Sequence, residues 1–253
     1  MKICELYEKM SQYFPRELGC EWDNDGLMCS PDTHAECKSV LLTLDVTEGA
    51  VAYACEMGCD LIISHHPLIF RPLRCVTDEN FISRKVIRLL SEGISVFSFH
   101  TRADFAQNGV NDALASALSL TDLSPFGEGT ETGRIGIYSP ECSLDEFALH
   151  VKSALRAPTV SFVGEGRVSR VAVLGGSGGD FLSLAQKAGA DTFVTGELGY
   201  NSHIDAKEKG INVIAAGHFY TERPVLDVYE KIIAECCPDA VVHRYEECEI
   251  KQL

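Results

Sequence analysis

The chain has 253 residues, enough for two modest domains or one large one. Its formal charge is −15, from 22 basic and 37 acidic side chains, so no basic surplus exists to neutralise a nucleic acid or an anionic membrane. Eleven cysteines are too irregular for a disulfide framework: the count is odd, no Cys-x-x-Cys pair occurs and no secretory signal opens the chain. Reduced thiols in a cytoplasmic protein are the expectation. No run reaches the ~20 apolar residues of a membrane span.

Apolar positions at Ile3, Leu6, Tyr7, Met10, Tyr13 and Phe14 make a helical stripe over 2–14, which Pro15 ends. Trp22 follows, ahead of the turn-forming cluster Asp23-Asn24-Asp25-Gly26. This reads either as a loop anchored by a core tryptophan or as a loop lining a site. Residues 39–45 read as a strand and 47–57 as a helix capped by Thr47. The apolar run from Asp60 to Ser64 then delivers His65-His66-Pro67 at a strand's carboxyl end, the edge where open α/β sheets bind ligands. On an extended strand the two imidazoles would face opposite ways, one to a ligand and one behind it, or each to its own centre. A helix is predicted over 81–92, a strand over 94–100 and a helix over 109–118.

Residues 121–134 are rich in Gly, Thr, Ser and Glu and mark a boundary or long loop, so two domains are drawn as 1–125 and 126–253. A strand at 134–138, a helix at 143–155 and a strand at 168–174 open the second. The run Gly175 to Gly179 lacks the order of a dinucleotide fingerprint and the Walker lysine, and reads as a tight strand-to-helix turn, with a nucleotide cradle as the minor alternative.

An internal repeat ties the halves together. Ala54, Gly58, Asp60 and Ser64 are echoed by Ala185, Gly189, Asp191 and Thr195, and Gly93-Ile94 by Gly210-Ile211. The expected fold is therefore α/β, with two related halves from an internal duplication packed face to face around a metal-binding cleft. Corresponding strand ends carry His65-His66, His100 to Asp104, Glu197 with His203, and His218 to Glu222.

Imidazole nitrogen and carboxylate oxygen together suit first-row divalent metals. His65, His66 and His218 with Asp104 and Glu222 exceed the three protein ligands usual for one catalytic zinc, and fit two metals sharing a carboxylate and a water. Such a pair would generate hydroxide at neutral pH and polarise a phosphoryl or carbonyl oxygen. Glu197, His100 and His203 are candidates for orienting ligands or transferring protons.

Seven motifs appear in order: Glu21-Trp22-Asp23-Asn24-Asp25-Gly26-Leu27, Ser64-His65-His66-Pro67, His100-Thr101-Arg102-Ala103-Asp104, Gly109-Val110-Asn111-Asp112, Gly133-Arg134-Ile135-Gly136, Thr195-Gly196-Glu197 and Gly217-His218-x-x-Thr221-Glu222. Together they resemble the Nif-three-like dinuclear metal-centre family, often labelled GTP cyclohydrolase I type 2 homologues. The resemblance implies two α/β halves, a two-metal site and a ring-shaped homohexamer. Its ligands fall on His65, His66, Asp104, His218 and Glu222, with Glu222 as the bridge. The chain departs from the family at Arg102-Ala103, where Asn-Leu is common, and Arg102 is expected to offer a cation to a substrate anion.

Two functions follow. One is a hydrolase using two divalent ions (zinc, iron or manganese) on a nucleotide or another small phosphorylated or cyclic amide substrate. The other is a non-catalytic metal-binding scaffold acting through protein contacts. Encirclement of DNA by a ring is disfavoured, because the charge accumulates to roughly −90 over six subunits.

Overall fold

Short apolar runs separated by capped helices build two sheets in the computed structural model, which describes residues 1–129 and 131–252. The strands are β1 (Gly26–Cys29), β2 (Ser39–Thr43), β3 (Leu61–Ser64), β4 (Ser95–Ser98), β5 (Thr121–Glu128), β6 (Glu131–Ser143), β7 (Ser161–Val163), β8 (Arg167–Ser177), β9 (Thr192–Glu197), β10 (Asn212–Ala215) and β11 (Val241–Tyr245). The first sheet runs β1-β4-β3-β2-β11 and the second β5-β6-β8-β9-β10-β7.

In the first sheet β11, β2, β3 and β4 are parallel and β1 is antiparallel to β4. Parallel neighbours require crossover helices. The helix Glu48–Glu56 starts where the Thr47 side chain accepts a hydrogen bond from Ala50 N, and Gly58 follows its end with a left-handed φ of 62°. Asn80 caps the helix Phe81–Ser91 in the same way, accepting from the amides of Ile82 and Ser83. Their inner faces, Ala50, Val51, Ala54, Val86 and Leu89, pack on Leu41, Ile62 and Val96. Alternation along β4 turns Phe97 to the opposite face. There Phe97 meets Tyr7 and Phe99, and Phe99 in turn meets Phe14 and Tyr229, with ring centroids 5.4–6.2 Å apart. A sheet covered on both faces explains why these strands read as continuous apolar runs.

The second sheet repeats the plan. Strands β8, β9 and β10 are parallel, and β7 flanks β10 antiparallel, as β1 flanks β4. Val171, Val173, Val194 and Ile214 face the helices Val110–Ala117 and Leu144–Ala154. Ala172, Leu174, Phe193 and Val213 face the opposite layer with Ala185 and Ala206. The duplicated aspartates do one job in both halves. Asp60 Oδ2 accepts from Lys38 N and Ser39 N at 2.7 and 2.9 Å, and Asp191 Oδ2 from Ser169 N and Arg170 N at 3.0 and 2.7 Å. Each ties off the amides at the start of the strand preceding it in sequence. The fold is thus two related α/β halves, as expected from the repeat.

Two expectations change. The segment predicted as a boundary or long loop contains the hairpin β5–β6; residue 130 lies outside the described residues. Its first strand is exposed except at Phe126, so composition resembled a loop. The chain also does not divide once at 125/126: one compact unit is Met1–Ala106 with Leu226–Glu247, the other Gln107–Val225 with Cys248–Leu253. The cause is β11, which pairs in parallel with β2. None of the eleven cysteines is joined in a disulfide, and no helix among the described residues is long and apolar enough to cross a membrane.

Candidate metal centre

In the first unit the polar ends of β3 and β4 gather three imidazoles. The centroids of His65 and His66 lie 5.0 Å apart, and His100 is 5.4 and 5.6 Å from them. Both histidines of the His-His pair therefore join one cluster, rather than facing opposite ways. Strand β3 ends at Ser64, so pleated alternation no longer governs the next two residues.

Each ring is held through Nδ1. His65 Nδ1 lies 2.9 Å from the carbonyl of Phe99, which can only accept, so this nitrogen carries the proton. His66 Nδ1 meets Asp45 Oδ1 at 2.8 Å, and His100 Nδ1 meets Asp23 Oδ1 at 2.8 Å. Anchoring Nδ1–H to a carbonyl or carboxylate places the lone pair on Nε2, the arrangement of metal-ligating histidines. The chemistry of the donor set fits a cation. His65 is fully buried, and its Nε2 lone pair faces Asp104 Oδ1, itself an acceptor, at 3.5 Å. A positive charge between them turns a repulsion of acceptors into shared coordination. His65, His66 and His100 form a group that could bind a metal ion.

Asp23 and Asp45, which hold His100 and His66, are not singled out by the sequence analysis. Asp45 follows β2, on the strand beside β3, and its place at that shared edge was the available signal. Burial pushes the Asp23 carboxyl up, but the hydrogen bond and charge of His100 and the hydrogen bonds from Thr101 outweigh it and bring it down to about 2. A depressed carboxyl contributes stability above its unfolded value of 3.8 and loses it as pH falls toward 2. In metal-stripped protein, wild type should therefore lose about 2 kcal/mol relative to Asp23→Asn across that window. Denaturant titrations at stepped pH measure it; parallel curves would contradict the assignment.

Arg102 does not serve a substrate anion. Its side chain is 1% exposed, with Nε 2.9 Å from Asp25 Oδ2, Nη1 donating to the Phe14 carbonyl and Nη2 to Tyr7 Oη. The guanidinium lies 4.5 Å from the Phe99 ring centroid. It is a core cation, paired within its own unit.

In the second unit the short helix His218–Glu222 follows Gly217, whose φ is 88°. His218 and Glu222 share its face, with Nε2 and Oε1 3.1 Å apart. His218 Nδ1 is 3.4 Å from Glu197 Oε2 at the end of β9. The glycine run supports this helix and does not cradle a phosphate. Gly176 N donates to Thr221 Oγ1 and Gly175 N to Asn111 Oδ1, so both amides are spent inside the fold. The Asn111 motif and the Arg134 motif also meet, since Arg134 clamps Asp112 with two hydrogen bonds of 2.8 Å. A cavity of about 550 Å³ opens beside Glu197 and His218, walled by Ser161, Tyr220 and Cys248 among others. His203 is placed apart from His218 and Glu222: its ring nitrogens contact Ser161 Oγ and the Gly199 carbonyl.

The sequence profile of Duf34/NIF3 (NGG1p interacting factor 3) matches residues 1–251. The chain belongs to this family. The "GTP cyclohydrolase 1 type 2 homolog" of Clostridium perfringens is 35% identical over 240 residues, covering 92% of this chain and 91% of that one. A Staphylococcus aureus hypothetical protein has the same fold, with a TM-score of 0.90 at 26% identity over 100% of this chain and 99% of that chain. Reduced HcgD from Methanocaldococcus jannaschii matches with a TM-score of 0.84 at 29% identity, over 98% of both chains. The residues matched to the Duf34/NIF3 family include all seven motifs.

Proposed function

We propose that this Duf34/NIF3 chain is a metal-dependent hydrolase in which His65, His66 and Asp104 act with His218 and Glu222 to hold two divalent ions, zinc, iron or manganese. The observation that carries the reading is the His65 geometry: a buried imidazole whose proton is committed to the Phe99 carbonyl presents its lone pair to a carboxylate. His66, oriented by Asp45, adds a second nitrogen of the same kind. Glu222 would supply the carboxylate that both ions share. Two bound ions would polarise a substrate oxygen and lower the pKa of a shared water.

The chain's own groups then orient and move protons. Asp45 and Asp23 keep His66 and His100 in the tautomer that exposes Nε2. Glu197, with 56% of its side chain exposed, stands at the cavity edge and is the group assigned to receive a proton and return it to the leaving group. His100 is the second proton-transfer candidate. GTP is the first substrate to test, from the name that the relatives share, and simple phosphoesters the second. A ring-shaped homohexamer in the cytoplasm completes the proposal.

The test is metal content per chain, by elemental analysis of protein purified without chelator. About two ions in wild type and one or fewer in Glu222→Ala support the centre. Fewer than one in wild type, unchanged by added zinc, iron or manganese, overturns it. A fully loaded protein inert on nucleotides, phosphoesters and cyclic amides would favour the non-catalytic scaffold.

A further inference from the structure

The sole tryptophan is 63% exposed, although it sits in a tightly held loop. Asp23, its neighbour, accepts from Thr101 N and Oγ1 at 3.1 and 2.7 Å and from His100. Asn24 donates to the Ile69 carbonyl, tying this loop to the one that carries Phe70. Trp22 and Phe70 stand edge to face with centroids 6.1 Å apart, and their rings lie 6.3 and 6.2 Å from His100. Phe70 and His66 also line a cavity of about 240 Å³, together with Phe81 and Lys85. That volume is below the roughly 300 Å³ at which pockets begin to take drug-sized ligands, so it has room for one ring system.

A large indole left in water and held there by a hydrogen-bond network is preorganised for contact. From these observations we infer that Phe70, buttressed edge to face by Trp22, forms an aromatic wall that stacks on a planar heteroaromatic ring of the substrate, beside the His66–His100 pair. The ring enters the cavity between Phe70 and Phe81. Lys85 Nζ lies 5.6 Å from the Phe81 ring centroid and donates to the Val46 carbonyl at 2.6 Å, and its remaining N–H groups are the donors assigned to the ring's exocyclic oxygen. The proposal rests on the histidine cluster being the reacting site, but its test needs no metal and no turnover.

The probe is Trp22 emission in metal-stripped, full-length protein, corrected for absorption by the ligand. Guanosine monophosphate carries a planar ring; ribose 5-phosphate carries the same sugar and phosphate without it. Saturable quenching by the first alone, weakened about tenfold in Phe70→Ala, is the expected result, since a base stacked on an aromatic side chain contributes at that level. Equal quenching by both ligands, or none that saturates, overturns the wall. So does a Phe70→Ala variant whose mass by light scattering falls while its ligand response stays that of wild type, which would make the patch a contact between copies. Failure here leaves the metal count unchanged, and failure of the metal count leaves this titration readable.

Discussion

Arg102→Met is expected to lower unfolding free energy by about 3–5 kcal/mol, the largest stability loss of any single site described above. The guanidinium is buried against Phe99 and bonded to Asp25, Tyr7 and the Phe14 carbonyl. Methionine fills similar space but leaves the Asp25 carboxylate in the interior without its cation. Burial already pushes the Asp25 carboxyl up against the opposing pull of Arg102, so removing Arg102 favours a neutral acid that must take up a proton to stay inside. Pairing the substitution with Asp25→Asn should recover more than half of the loss, because no buried charge then remains. Equilibrium urea unfolding with an unchanged slope would report this. A single variant as stable as wild type would contradict a buried pairing of Arg102 with Asp25.

Gly176→Ala should empty the candidate centre while sparing the fold. Gly176 has φ 67°, and a Cβ there would land on Glu222 Oε1 and lie 3.2 Å from His218 Nε2. The left-handed backbone costs an alanine about 1–2 kcal/mol. The collision, by contrast, displaces the carboxylate assigned as the bridge. Metal content should fall from about two ions to one or fewer, with unfolding still cooperative. Gly58→Ala is the control: it has φ 62° and nothing within 4 Å of the added Cβ, so it should show the strain alone and keep its metal. Equal metal content in both variants would remove Glu222 from the site.

The β3 edge and the duplication were readable because local signals carried them: apolar runs, capping residues and an aspartate repeated at the start of a strand. Arg102 was misread because its partner Asp25 lies 77 positions earlier, and a charged side chain is buried only when such a partner exists. Trp22 was ambiguous for the same reason. Whether an indole is packed or exposed depends on loops that meet through Asn24 and Ile69. Strand β5 is not legible locally because an edge strand can be almost wholly exposed, and the hairpin it forms is fixed by pairing with β6. His65 and His66 were found, but their common direction depends on where the ladder stops.

The return of β11 to the edge of β2 has a consequence for synthesis. A ribosome delivers residues 107–225 before 226–247, so the sheet of the second unit is complete while the first still lacks its last strand. Until Val241–Tyr245 emerges, the nascent chain carries β2 as an open edge with unpaired backbone groups, the kind of surface that chaperones shield and that neighbouring chains can capture. The half that is translated first is therefore the half that finishes folding last.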